Sequence, residues 1–390
     1  MKDFIYENSC KVYFGKNQLR NLGSEALRFG KKVLLCYGGG SIKRSGLYDK
    51  VIKILKDNNI EIYELSGIEP NPRHKTANIG VELCKKNNID LIIAVGGGST
   101  IDCAKAIAAT AVTESSDSWE VLLKGEWIVN ALPIIAVLTN AATGSEMDQW
   151  SVISNMDTNE KLSLGGSGLL PKVAFENPED SFTLSSYQTV CGAFDIFNHV
   201  LDNYYLAKED TFDMILEFQE AVMRTVVKWT PVAIKEPTNY EARANLMWAS
   251  SMALNTILDA GTVHGCACHM IEHELSAYYD ITHGHGLAIV TPRWLTYILD
   301  ESIAPAIYRL GVKVFNVETG MKAMDGAKAS IKALENFCFN ILGLKSTLTE
   351  LGINEKHLMD MASHACMFGS ITGPRTLNKE DVYEILKMCL

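Results

Sequence analysis

Five of the nine histidines fall between residues 264 and 285, as His264, His269, His273, His283 and His285. Upstream, Asp195 and His199 are four residues apart, a spacing that places two side chains on one face of a helix. A carboxylate and an imidazole so placed can hold one side of a divalent cation, with imidazoles from the downstream cluster closing the other. His269 and His273 form a second pair four apart, so either can be the third ligand, and His283 and His285 compete to be the fourth. One carboxylate with three imidazoles suits Fe²⁺, Zn²⁺, Mn²⁺ or Co²⁺ and leaves a position for a substrate oxygen. A lone histidine is more often a structural or surface residue, and His74, His357 and His364 are read that way. On a helix Cys268 points away from His269, and Cys266 shares the His269 face only if the helix already begins there. Both cysteines are read as small core residues.

Two kinds of element must position these groups. The first half of the chain alternates helix-like segments at about 17–29, 46–58, 75–88 and 100–112 with apolar, β-rich runs at 32–37, 60–64, 90–95 and 132–138. That order argues for βαβ units around a largely parallel sheet. From Ser185 onward the strand signal disappears, and periods near 3.6 predict helices over 186–206, 211–230, 238–259, 265–278, 321–342 and 379–388. The reading is an α/β domain over 1–184 and an all-α, metal-binding domain over 185–390.

Glycine clusters follow two of the strands: Gly38-Gly39-Gly40-Ser41 after Val33–Tyr37, and Gly96-Gly97-Gly98-Ser99 after Leu91–Val95. Glycine lets the backbone approach a phosphate, and a helix N-terminus adds N–H donors and a favourable dipole. Ser99 or Thr100 is expected to cap the helix that follows the second cluster. A third polar loop, Thr139–Glu146, follows another strand, and three loops at the carboxyl ends of strands would line one crevice. Neither cluster is the G-x-G-x-x-G fingerprint of standard dinucleotide folds.

Composition narrows the function classes. With 36 basic and 46 acidic residues the net charge is −10, and no basic run offers a footprint for nucleic acid. The apolar runs are strand-sized, far short of a membrane span, and the first residues carry no apolar signal core. The ten cysteines are therefore read as thiols of a cytoplasmic protein.

The motifs Tyr37-Gly38-Gly39-Gly40-Ser41-Ile42-Lys43, Glu69-Pro70-Asn71-Pro72, Gly96-Gly97-Gly98-Ser99, Ala142-Thr143-Gly144-Ser145-Glu146, Glu241-Ala242-Arg243-Ala244-Asn245, His273-Glu274-Leu275-Ser276-Ala277 and Thr282-His283-Gly284 occur in that order along the chain. In this the sequence resembles the iron-containing (group III) alcohol dehydrogenases, in particular their bacterial butanol dehydrogenase branch. The resemblance implies a Rossmann-like, dehydroquinate synthase-like α/β domain followed by the helical one. It implies ligation of iron, or alternatively zinc, by Asp195, His199, His269 and His283, with His273 beside the site as a residue that supports the ligands or relays a proton, and His285 not a ligand. Gly39, Gly40, Ser41, Gly97, Gly98, Ser99 and Asp102 would meet the nicotinamide cofactor, with Asn71, Thr139, Asn140, Thr143 and Lys161 completing its site. The resemblance further implies a small or medium alcohol or aldehyde as substrate, and a homodimer to whose contact residues 1–14 contribute. Where related enzymes can carry an acidic residue after the first glycines, this chain has Ser41 with Lys43 and Arg44 nearby. That favours NADP(H) over NAD(H). Departures from the family pattern are Asn177-Pro178, where Asp-Pro is common, and the Cys266-Ala267-Cys268 stretch.

Two other readings compete. Dehydroquinate synthase and glycerol-1-phosphate dehydrogenase share the architecture, but their anionic substrates call for basic residues, and 195–199 and 264–285 have none. A metal-dependent hydrolase would need Glu272 or Glu274 as its base and leaves the glycine loops unexplained.

Overall fold

A computed structural model of the chain describes residues 2–206, 212–262 and 264–390; residue 1 and residue 211, where one helix was expected to start, lie outside the described residues. The chain divides into two compact units. The α/β unit comprises Asn8–Ser185 with Pro237–Ser251, and the helical unit comprises residues up to Glu7, Ser186–Glu236 and Met252–Leu390. The exchange of 1–7 and 237–251 between units is absent from the sequence reading. A helix expected over 238–259 does not by its period say which core it joins, and Met247 of the helix Tyr240–Leu254 joins a core of the α/β unit.

In the α/β unit the strands are β1 (Lys11–Phe14), β2 (Lys32–Tyr37), β3 (Glu61–Leu65), β4 (Leu91–Gly96), β5 (Ile134–Leu138), β6 (Trp150–Asn155), β7 (Glu160–Gly165) and β8 (Val173–Glu176). Six form one sheet in the order β1-β8-β5-β4-β2-β3 with every pairing parallel, and β6 and β7 form a separate antiparallel hairpin. The central strands β2, β4 and β5 are almost wholly apolar because both faces are covered. Leu34, Cys36, Ile92, Ala94, Ile134 and Ala136 enter one core, whereas Val33, Leu35, Ile93, Val95, Ile135 and Val137 enter the other. β1 and β8, four residues each, are too short for a period to declare itself.

Among the carboxyl groups buried in this unit are Glu176, the last residue of β8, and Glu146, whose Oε1 accepts a 2.6 Å hydrogen bond from Ser251. Burial pushes Glu146 up to about 7 against that hydrogen bond. Burial, then the charge of Glu146, carries Glu176 well above the ordinary 4.5. A raised folded-state pKa means that the stability from these groups is complete below the unfolded value and is lost as pH rises through the folded value. Stability should therefore fall from about pH 5 to about pH 8, and Glu176→Gln should flatten that fall. Melting temperatures across the range check this; parallel curves for parent and variant would refute it.

In the helical unit no strand occurs among the described residues. The helix Ser186–Val200 runs into a π-helical turn, Leu201–Tyr205, and the helices Asp213–Lys235, Ala267–Tyr279, His283–Ile298, Ala304–Phe315, Ala323–Glu335, Leu358–Ala365 and Lys379–Met388 follow. Gly284, Gly286 and Pro292 weaken the helical signal of His283–Ile298. Burial overrides that propensity, with Leu287, Ala288, Ile289, Val290, Trp294 and Leu295 all fully buried.

Candidate metal centre and nucleotide-binding loops

The helix Ser186–Val200 carries Asp195 and His199 one turn apart, His269 lies in the first turn of Ala267–Tyr279, and His283 is the first residue of His283–Ile298. Three imidazole nitrogens converge on Oδ1 of Asp195: Nδ1 of His199 at 3.5 Å, Nε2 of His269 at 3.8 Å and Nε2 of His283 at 3.5 Å. These separations are too long for hydrogen bonds. They match the spacing of about 3.4 Å between donors that share a tetrahedral ion at about 2.1 Å. Asp195 Oδ1, His199 Nδ1 and His269 Nε2 are buried without a hydrogen-bond partner, as ligand atoms would be. By that test Asp195, His199 and His269 fit a divalent metal, and His283 Nε2, 3.5 Å from the same Asp195 oxygen, is the candidate fourth donor.

Charge is distributed to match. Burial opposes ionisation of Asp195, but the neighbouring His199, His283 and His269 hold its carboxyl well below the usual carboxylate range. Burial pushes His199 down to about 3 against the pull of Asp195. Burial would lower His269 too, but its contacts with Asp195 and Asp202 outweigh that and raise it to about 9. A cation bound here would take the place of that proton.

Two carboxylates orient the imidazoles: Asp202, which the sequence did not bring forward, and Glu272, considered there only as a hydrolase base. Asp202, in the π-helical turn, accepts from Nδ1 of His269 at 3.0 Å and from the backbone N–H groups of Ala267 and His269, so it caps that helix while turning Nε2 toward Asp195. Glu272 pairs with Nδ1 of His283, and its other oxygen accepts from the Ser276 hydroxyl at 2.6 Å. A sequence signal existed for both: Asp202 lies three residues after His199 and Glu272 three after His269, each on the ligand face. Asp202, Cys266 and His269 also cluster within 4.8 Å, but the Asp202 carboxylate is already committed to three N–H donors.

The remaining histidines are placed apart from the donor group. The His273 ring is half-buried, 5.6 Å from that of His283. His285 turns elsewhere, its two ring nitrogens 3.0 Å from the Tyr187 hydroxyl and the Lys345 carbonyl. Cys266 sits at the N-cap of Ala267–Tyr279, outside the helix, and Cys268 is buried. His283 keeps 21% of its side chain exposed against 4–9% for Asp195, His199 and His269, so the cluster is most open on the His283 side.

In the α/β unit the three loops singled out by sequence follow β2, β4 and β5, which are neighbours in the sheet. Thr139 donates its backbone N–H to Gly96 at 2.9 Å. A Cβ on Gly97 would lie 3.1 Å from Cβ of Asn140, and one on Gly98 would lie 2.6 Å from Cγ2 of Thr143. The second and third loops therefore interlock through the glycines. The helix Gly98–Ala111 starts earlier than expected: Gly97 is the N-cap, and no side chain takes up the first-turn amides that an anion would need. Gly40, at φ 97°, turns the first loop into Ser41. Lys161, on β7, donates to Oδ1 of Asn71 at 3.0 Å. Asp102 points into the unit, accepting from the Ser145 hydroxyl at 2.6 Å and from the Val152 N–H at 3.1 Å. Beside it the buried Lys105 ties down Asp148 at 2.6 Å. Lys43 lies over the rings of Tyr37 and Tyr48, whose hydroxyls both reach Glu64.

Comparison with known proteins bears on both sites. The profile of the family "iron-containing alcohol dehydrogenase" matches residues 9–178, and that of the family's C-terminal part matches 189–390. The chain is 46% identical to NADH-dependent butanol dehydrogenase A of Clostridium acetobutylicum, over 99% of each chain. It is 35% identical to an NADPH-dependent aldehyde reductase of Escherichia coli, over 91% of this chain and 90% of the other. Among solved structures, NADH-dependent butanol dehydrogenase A of Thermotoga maritima superimposes with a TM-score of 0.94 at 38% identity, covering 100% of this chain and 99% of that one.

Proposed function

The chain belongs to the iron-containing alcohol dehydrogenase family, and from that premise we propose that it reduces a small or medium linear aldehyde such as butanal with a nicotinamide cofactor at a divalent metal centre. The convergence of Asp195, His199, His269 and His283 at 3.5–3.8 Å carries the reading. When bound, the metal supplies Lewis-acid polarisation of the substrate oxygen, and the nicotinamide supplies hydride. Asp195 brings one negative charge to the centre, which leaves a net positive field for the oxygen. Asp202 and Glu272 keep protons on Nδ1 of His269 and His283, so Nε2 of each is the donor. His273, beside His283 on the accessible side, passes a proton to the developing alkoxide. Iron is the first choice of metal by family, with zinc compatible with the same donors. Glu272, one of the two carboxylates a hydrolase could use as its base, is occupied by His283 and Ser276.

The cofactor preference is more even than the charge near the first glycine loop suggests. Lys43, one of two cations on which a preference for NADPH was founded, is drawn toward Tyr37, Tyr48 and Glu64. Arg44 remains beside the loop, its Nη1 4.0 Å from where a Cβ on Gly40 would lie. Relatives at 42–46% identity are named for NADH and one at 35% for NADPH. The proposal is therefore use of both, with Arg44 setting the NADPH share. In this reading the enzyme works as a homodimer, supported by the edge position of β1 and the 96% exposure of Ile5.

Metal-stripped enzyme resupplied with Fe²⁺ or Zn²⁺ should oxidise both cofactors in the presence of butanal. Arg44→Ala should lower kcat/KM for NADPH by about tenfold, the worth of one charged hydrogen bond, and barely change that for NADH. Oxidation of neither cofactor by a series of linear aldehydes, with metal bound, would reject the function. Equal losses with both cofactors would reject the role of Arg44.

A further inference from the structure

His285 lies between two glycines at the point where two ligand-bearing helices meet. A Cβ on Gly284 would fall 2.6 Å from the carbonyl carbon and 2.9 Å from Cα of Cys191. The helices Ser186–Val200 and His283–Ile298 thus touch backbone to backbone, one turn before Asp195 and one residue after His283. On the other side, a Cβ on Gly286 would fall 2.7 Å from Cγ of Glu272, the carboxylate that orients His283. Contact this close fixes how near the helices lie but not how one is rotated against the other; a directional bond is needed for that.

His285 supplies such bonds. The side chain is 3% exposed, with Nε2 3.0 Å from the Lys345 carbonyl and Nδ1 3.0 Å from the Tyr187 hydroxyl. A carbonyl only accepts, so Nε2 carries the proton and Nδ1 accepts from Tyr187. Tyr187 belongs to the first turn of Ser186–Val200, the helix of Asp195 and His199, and its ring meets that of His285 edge-on at 5.7 Å and 71°. We infer that the Tyr187–His285–Lys345 chain is a positioning device for the metal centre, which fixes the rotation of the His283 helix against the Asp195–His199 helix and thereby aims the fourth ligand. The inference rests on the metal reading above. It gives a purpose to the second histidine of the His283-Gly284-His285 stretch.

The test uses full-length protein loaded with Co²⁺, whose visible spectrum reports ligand geometry. Tyr187→Phe removes only the hydroxyl, His285→Leu removes both bonds, and His285→Gln keeps a donor for Lys345 and an acceptor for Tyr187. Tyr187→Phe and His285→Leu should alter the Co²⁺ spectrum and speed metal loss to a chelator by about tenfold, in the range for residues that orient ligands. His285→Gln should recover part of both effects. Cofactor affinity should stay at the parent value in all three. Parent-like spectra and release rates in Tyr187→Phe and His285→Leu, with at most a lower melting temperature, would overturn the inference alone. Failure of the parent to take up Co²⁺ would overturn the metal reading and this inference with it. If His285→Leu does not fold, Tyr187→Phe decides.

Discussion

Replacing His269 or His283 with alanine is expected to strip the centre of metal and to lower aldehyde reduction by about three orders of magnitude, while the fold survives. The magnitude follows from the loss of Lewis-acid stabilisation, worth several kcal/mol, with each 1.36 kcal/mol a factor of ten. Survival of the fold follows from the local bonding. In His269→Ala the Asp202 carboxylate still accepts the backbone N–H groups of Ala267 and His269, so the helix keeps its cap. His283→Ala leaves the buried Glu272 without its imidazole partner, and a net cost of about 1–3 kcal/mol is expected there. The two variants should therefore be alike in metal content and activity but differ in melting temperature, with His283→Ala the less stable. Elemental analysis, a turnover assay and circular dichroism read the three quantities. Full metal content in both variants would mean that the donors named here are not the ligands.

The sequence made the ligand candidates visible because their spacing is local: Asp195 with His199 and His269 with His273 each share a helix face. It left the choice between His269 and His273, and between His283 and His285, to family resemblance. Those choices depend on how separate helices meet. The geometry brings together His269 and His283 with Asp195, and it occupies both nitrogens of His285 elsewhere. Asp202 went unnoticed and Glu272 was considered only as a hydrolase base for the same reason, since an acidic residue on a helix face is ordinary until its partner from another helix is known. In the α/β unit, apolar runs exposed the central strands, whereas β1, β8 and the β6–β7 hairpin were too short or too mixed in polarity to stand out. Lys43 shows the limit for charge. Its place beside the glycine loop suggested a phosphate partner, yet Tyr37 and Tyr48 lie under it and Glu64 is close by.

Gly98→Ala should raise the dissociation constant for the nicotinamide cofactor at least about tenfold and leave metal content at the parent value. The added methyl would meet Thr143, with Cγ2 at 2.6 Å and Cβ at 3.0 Å. Thr143 has little freedom to turn aside, because its Oγ1 accepts the backbone N–H of Ser145 at 3.1 Å and the next residue, Gly144, donates its own N–H to Ser250 at 3.2 Å. The strain must then displace either the Thr139–Glu146 loop or the N-terminus of the helix Gly98–Ala111, whose amides are the proposed anion donors. If the collision is the cause, Thr143→Ala in the Gly98→Ala background should restore part of the affinity by removing Oγ1 and Cγ2. A plain loss of glycine flexibility would not respond to that second change. Titration calorimetry with NADH and NADPH on the single and double variants separates the two, and an unaltered dissociation constant in Gly98→Ala would place the pyrophosphate away from this helix.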